Sequence, residues 1–214
     1  MEIVIKNFEN IQTAYWLTDK EKRKIKKLEK NIIKLSQIAE KQQRLKKQAD
    51  GTYNYYRPQI AGAWEMLGNQ YINGEAWAVI YKHITEGTTN NNVDEDTKKS
   101  NSIFTESFFP AEEKRGEWFK IDLKTLTENY KNARKIDKNK DYFCNIGDNW
   151  FNAKFVKDIL ATLDNPLCCM AQLPYFHDKK LLYLSGYNGD AIILPCRKIF
   201  NPGDFVYEVE TWQI

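Results

Sequence analysis

Residues 149–198 read NWFNAKFVKDILATLDNPLCCMAQLPYFHDKKLLYLSGYNGDAIILPCRK, and their pattern decides the fold. Phe151, Phe155, Val156, Ile159, Leu160 and Leu163 recur at spacings of three to five, which gathers them on one face of a helix. Asn152 stands at the N-cap position, behind the apolar pair Trp150-Phe151. Asp164-Asn165-Pro166 ends the helix, because proline cannot continue it and disfavours helical geometry in Asn165. Three apolar runs follow, Leu167–Leu173, Lys180–Leu184 and Asp190–Arg197, each the length of a strand. Ser185-Gly186-Tyr187-Asn188-Gly189 separates the last two and suits a hairpin.

The residues before this stretch continue the alternation. Glu117–Leu123 predicts a strand. Leu123, Leu126, Tyr130 and Ala133 predict the apolar face of a short helix. Asp141–Ile146 is a further strand, with Gly147-Asp148 turning the chain into residue 149. Upstream, Gln70–Ile72 and Ala76–Tyr81 read as strands broken by Asn73-Gly74, with His83–Thr85 as another candidate. Residues 87–102 are polar and nearly empty of hydrophobes, which predicts a mobile loop. The run Asp94-Glu95-Asp96 lacks the glycine and ligand spacing of a calcium loop and reads as solvated. Between Thr52 and Trp64, tyrosines surround Arg57; such a cluster either stacks bases or packs as a corner against a sheet. Glu2–Lys6 has the alternation of a short strand.

One long helix dominates the first quarter of the chain. Thr18 and Glu21 form a capping box, and Ile25, Leu28, Ile32, Leu35 and Ala39 follow at heptad spacing. Asp50-Gly51 predicts an end near Ala49. The narrow apolar stripe fits either a coiled coil or packing across the body of the same chain.

The run Phe151-Asn152, Val156, Asp158, Leu160 and Leu163, followed by strands ending in Ile193-Leu194-Pro195-Cys196-Arg197, resembles the last half-domain of the bacterial beta sliding clamp. Prophage clamp-like proteins share that pattern. The family closes on apolar-Met-Pro-x-Arg; here Leu194 takes the methionine's place, and Asn201–Ile214 runs past the point where the bacterial clamp stops. The resemblance implies an α+β fold: a clamp-like domain of two βα(β) repeats over residues 49–214, with helices side by side on one face of curved sheets. Residues 1–48 then form a separate N-terminal strand and long basic helix. The resemblance also implies a helical face that meets DNA phosphates without reading sequence. Its outward cations are Lys124, Lys131 and Arg134 on one helix and Lys154 and Lys157 on the other, diluted by Glu128 and Asp158. A clamp ring contains six such domains, so a chain with one would need a homo-oligomer, a hexamer, to close a ring, or else the fold serves another purpose.

Charge divides the chain in the same sense. Of a formal net +3 over 214 residues, Lys20–Lys47 holds twelve Lys or Arg against three Glu, a net of +9, so the remainder carries −6. Lys22, Arg23, Lys26, Lys27, Lys30 and Lys34 crowd its first turns, a density that an anionic partner would relieve. Four cysteines form no CxxC pair and the two histidines stand alone, which predicts reduced, buried thiols and no zinc. No apolar run approaches a membrane span, and Met1–Lys6 is too short and polar-flanked for a signal peptide. A soluble, cytoplasmic protein without membrane contact is expected. Phosphate loops, nucleophile elbows and metalloprotease motifs are missing.

The expected function is non-enzymatic and cofactor-free: a phage- or prophage-type clamp-like protein associated with duplex DNA or a DNA-processing complex. Two readings compete with it. One is a counter-defence (anti-CRISPR-like) inhibitor or adaptor that binds a nucleic-acid-processing protein; the other is a dimerising module built on the long helix.

Overall fold

Asn152 turns a strand into a helix in the computed structural model of the protein, which describes residues 17–44, 62–88, 93–147, 149–173, 176–196 and 205–208. Its side-chain oxygen accepts from the backbone N–H groups of Lys154 at 3.0 Å and Phe155 at 3.4 Å. Helix α4 follows over Ala153–Leu160. Val156, Ile159, Leu160 and Leu163 are buried, as their spacing predicts. Asn152→Ala removes the cap while leaving the core intact. It is expected to cost about 0.5–2 kcal/mol, read as a lower urea midpoint at unchanged slope.

After the stop at Asn165, strands β7 (Leu167–Leu173), β8 (Phe176–Gly186) and β9 (Gly189–Ile193) form an antiparallel meander. Asn188, in the β8–β9 turn, accepts from Asp164 N at 2.7 Å and donates to Thr162 O at 2.9 Å. Those two bonds pin the hairpin to the end of α4. His177 falls within β8. The last strand stops at Ile193 instead of running to Arg197, because Pro195 has no N–H for the ladder. Beyond the strand, Leu194 N bonds Ala76 O at 2.8 Å and Cys196 N bonds Trp150 O at 2.7 Å.

Strands β1 (Ala63–Met66), β2 (Asn69–Asn73), β3 (Trp77–Tyr81) and β4 (Arg115–Phe119) complete a seven-stranded antiparallel sheet, ordered β1-β2-β3-β9-β8-β7-β4. A smaller sheet joins β5 (Phe143–Ile146) and β6 (Asn149–Asn152) antiparallel, with β10 (Phe205–Glu208) parallel to β5. Strand β6 is absent from the sequence reading, which folded Trp150 and Phe151 into the approach to the helix. His83–Thr85 is not a strand; Thr85 instead meets the Gln70 side chain through its backbone N–H and carbonyl.

The capping box forms as expected: Thr18 N and Oγ1 donate to Glu21 at 2.8 and 2.7 Å, which holds the Glu21 carboxyl below its usual range. Helix α1 runs over Asp19–Arg44, about 39 Å at 1.5 Å per residue. Ile32, Leu35 and Ala39 enter the same core as Leu126, Val156 and Leu184, so this part of the stripe packs on its own chain. The expected end near Ala49, the strand Glu2–Lys6 and the tyrosines around Arg57 lie outside the described residues. Trp64, at the edge of that aromatic cluster, is buried in β1 and stacks on Tyr71 with centroids 5.4 Å apart.

The expected mobile loop is corrected. Residues 95–106 of that polar segment and its continuation form helix α2 (Glu95–Glu106), capped by Asp94, whose Oδ1 accepts from Thr97 N at 2.8 Å. Its buried side chains are polar, Asn101, Ser102 and Thr105, and they find partners on the sheet and the helix itself. Ser102 Oγ accepts from Trp64 Nε1 at 2.9 Å, and Thr105 Oγ1 accepts from Asn73 Nδ2 at 2.6 Å. Hydrogen bonds do here what apolar burial does elsewhere.

Helix α3 (Leu123–Ile136), capped by Asp122, lies beside α4, with Lys157 Nζ 5.5 Å from the Tyr130 ring centre. Alternation along β3 then separates the two faces of the large sheet. Trp77, Val79 and Tyr81 join the core under α1, α3 and α4, whereas Ala78 faces the side that carries Phe108, Phe109 and Trp118.

Candidate nucleic-acid interface

The basic residues of α1 are arranged as well as numerous. Lys20, Arg23, Lys27, Lys30 and Lys34 repeat at spacings of three and four, each five positions before a member of the apolar stripe. Five helical residues are roughly 140° of rotation, so the basic stripe lies well round the helix from the buried one. Of that stripe, Lys27 and Lys34 stand across from residues of α3 and α4. Asn31, between the lysines, donates its side-chain N–H to Ala161 O at 2.7 Å, and Lys24 pairs with the buried Asp164 at 2.5 Å.

Between the three helices lies an open groove of about 610 Å³. Lys27 and Lys34 line one wall, Lys124 and Lys131 another, and Lys157 joins them from α4. Two carboxylates, Glu128 and Asp158, temper the five cations. Asp158 is already engaged by Lys154, at 3.0 Å, and by Lys157. Among the described residues no aromatic side chain lines the groove. Where Tyr130 and Lys131 lead out of it, a shallow cleft of about 320 Å³ continues the cationic track through Arg134, Lys135 and Lys138.

Of the ten residues singled out from sequence, five therefore converge: Lys27, Lys34, Lys124, Lys131 and Lys157. Arg23 and Lys30 are exposed on the same helical stripe but are not among the residues lining the groove. Lys22 and Lys26 are exposed but sit roughly 140–180° around α1 from Asn31, turned away from α3 and α4. Lys154 lies outside the groove, paired with Asp158 and 6.0 Å from the Phe155 ring centre. Lys135 and Lys138 were missed because they occupy the end of α3 and the turn beyond it. There, helical periodicity no longer says which way a side chain faces.

Among the described residues no three His, Cys, Asp or Glu side chains group as metal ligands, and no helix is long and apolar enough to cross a membrane. All four cysteines are free. Burial pushes the Cys168 thiol up to about 12 and Cys169 up to about 11. It also raises Cys144, which is buried, and Cys196, which is half-exposed. Thiolate is the reactive form, so native protein at pH 8 is expected to label slowly at Cys196 and not at the other three. Denatured protein should take four labels, and a disulfide found by mass spectrometry would contradict this picture.

No protein-family model, curated protein or solved structure matches the chain.

Proposed function

We propose that this chain is a non-enzymatic, DNA-associated protein whose three-helix groove holds the phosphate backbone of a duplex, in the manner of a clamp-like domain. One observation carries the reading: lysines from three helices distant in sequence converge on one groove whose acidic residues are outnumbered. Converging cations meet a polyanion without reading its bases, which is how phosphate contacts act. None of the described residues lining the groove is aromatic, which favours a duplex over a single strand, since single-strand sites stack bases on exposed rings. The side-by-side pairing of α3 and α4 over an antiparallel sheet supports the clamp-like part of the proposal.

The test is a salt series with a fluorescent duplex. Phosphate contacts give a log–log slope of roughly −0.9 each, so full engagement of the five lysines predicts about −4 to −5. Equal binding of unrelated sequences is also expected. Absence of salt-sensitive duplex binding at about 50 mM salt would remove this reading.

A further inference from the structure

The first half of α1 lies over a second cavity, about 380 Å³, bounded by the loop after β3 and by the β8–β9 turn. It shares no lining residue with the basic groove. Its apolar walls are Ile25, Leu28 and Ile32 from the α1 stripe, Ile84 from the loop and Tyr187 from the turn. Ile32 is buried, but Ile25 and Leu28 are only half-buried, and Ile84 and Tyr187 are 44% and 63% exposed. The stripe thus leaves the core here and runs along an open cavity, with apolar area still in water.

Most polar groups of the wall are engaged within the chain. Tyr81 donates its hydroxyl to Thr162 Oγ1 at 2.7 Å, and Asn188 uses both ends of its amide on Asp164 N and Thr162 O. The Asp164 carboxylate pairs with Lys24 at 2.5 Å. Burial, aided by the charge of Lys82, holds the His83 imidazole below its usual range, so it adds no positive charge at neutral pH. Glu29 lines the same cavity, and no hydrogen bond or ion pair among the described residues engages its carboxylate. No lysine or arginine is among the described lining residues.

We infer that this cavity binds an organic amine, a single ammonium carried on an apolar body of one ring. The body lies against Leu28 and Ile84, and the ammonium meets the Glu29 carboxylate at the mouth. Other classes fit less well. A carboxylate or phosphate is repelled by Glu29 and finds no cation in the wall; a neutral ring fills the walls but leaves Glu29 to water. The volume is at the small end of ligand cavities and suits one ring. This site does not depend on the occupant of the basic groove.

The probe is 2-phenylethylamine, with 2-phenylethanol as its neutral analogue and 3-phenylpropionate as its anionic one. Each is added to the full-length protein at about pH 7.5, where an alkylamine is charged. The chain has two histidines, so two sets of imidazole proton signals report, and His83→Gln tells them apart. The amine is expected to shift the His83 signal saturably with a midpoint of about 1–10 mM, the range open to a ligand of its size. Nuclear Overhauser effects from its ring to the Leu28 and Ile84 methyl groups are expected in the unsubstituted protein. The alcohol should bind about two- to fivefold more weakly, the worth of an exposed ion pair, and the carboxylate more weakly still. Glu29→Gln should bring the amine down to the level of the alcohol. Glu29 is exposed and glutamine is nearly as good a helix former, so folding survives that change. An unmoved His83 signal at the limit of the amine's solubility overturns the inference. So do equal responses to the three probes, Overhauser effects that place the ring on other side chains, or a Glu29→Gln protein that keeps its preference for the amine.

Discussion

With Lys27, Lys34, Lys124 and Lys131 all changed to glutamine, duplex affinity is expected to fall at least about a hundredfold at roughly 50 mM salt, and the salt slope to flatten by about 0.9 for each phosphate no longer neutralised. The four come from opposite walls of one groove, so removing them empties it of most positive charge. Glutamine is nearly as good a helix former as lysine, and all the changes lie at or near the surface, so folding should survive. A matched control removes the same charge elsewhere: Lys22, Lys26, Lys99 and Lys180, each exposed and outside the groove. If the control weakens binding as much as the groove variant, net charge rather than geometry drives association. If neither changes it, the groove is an ordinary solvated surface.

Leu160→Ala is expected to destabilise the protein by about 2–5 kcal/mol, the range for a leucine truncated in a close-packed core. Leu160 is 2% exposed and shares the main core with residues from α1, α3 and both sheets. For a chain of this size each kcal/mol lowers Tm by roughly 2–4 °C. Ile136→Ala provides the contrast, since Ile136 is 89% exposed at the end of α3 and should move stability by no more than about 0.5 kcal/mol. A loss below about half a kcal/mol at Leu160 would mean that the buried face of α4 is assigned wrongly.

The parts of the fold legible in sequence were those where burial is apolar and periodic. Strand β7 begins and ends where the run Leu167–Leu173 does, and the Asn152 cap sits where its residue type and neighbours place it. Helix α2 shows the limit. Its buried face is Asn101, Ser102 and Thr105, which hydropathy counts as surface, so a segment held by hydrogen bonds reads as a loop. The one local signal was Asp94 three residues before Thr97, a capping pair. Strand β6 was hidden for another reason. Trp150 and Phe151 lie directly before a cap, and a strand that ends in a cap looks like the approach to a helix.

The candidate site was legible as charge but not as shape. Lysine density located α1 and gave no means of ranking Lys22 against Lys27, whose difference is rotation about the helix axis. Only the packing of Ile32, Leu35 and Ala39 decides which flank meets α3 and α4. The repeat of cations five positions ahead of each apolar residue held that information, but it needs a partner surface to acquire meaning.

That partner surface comes late. The groove joins a wall made in the first quarter of the chain to walls from its second half, so neither part has the site by itself. On a ribosome, α1 emerges before α3 and α4 as a bare polycation and stays one until their residues have followed and docked. Synthesis order thus makes the proposed anion recognition a property of the completed fold, and a truncated or misfolded chain would offer its lysines without the geometry that aligns them.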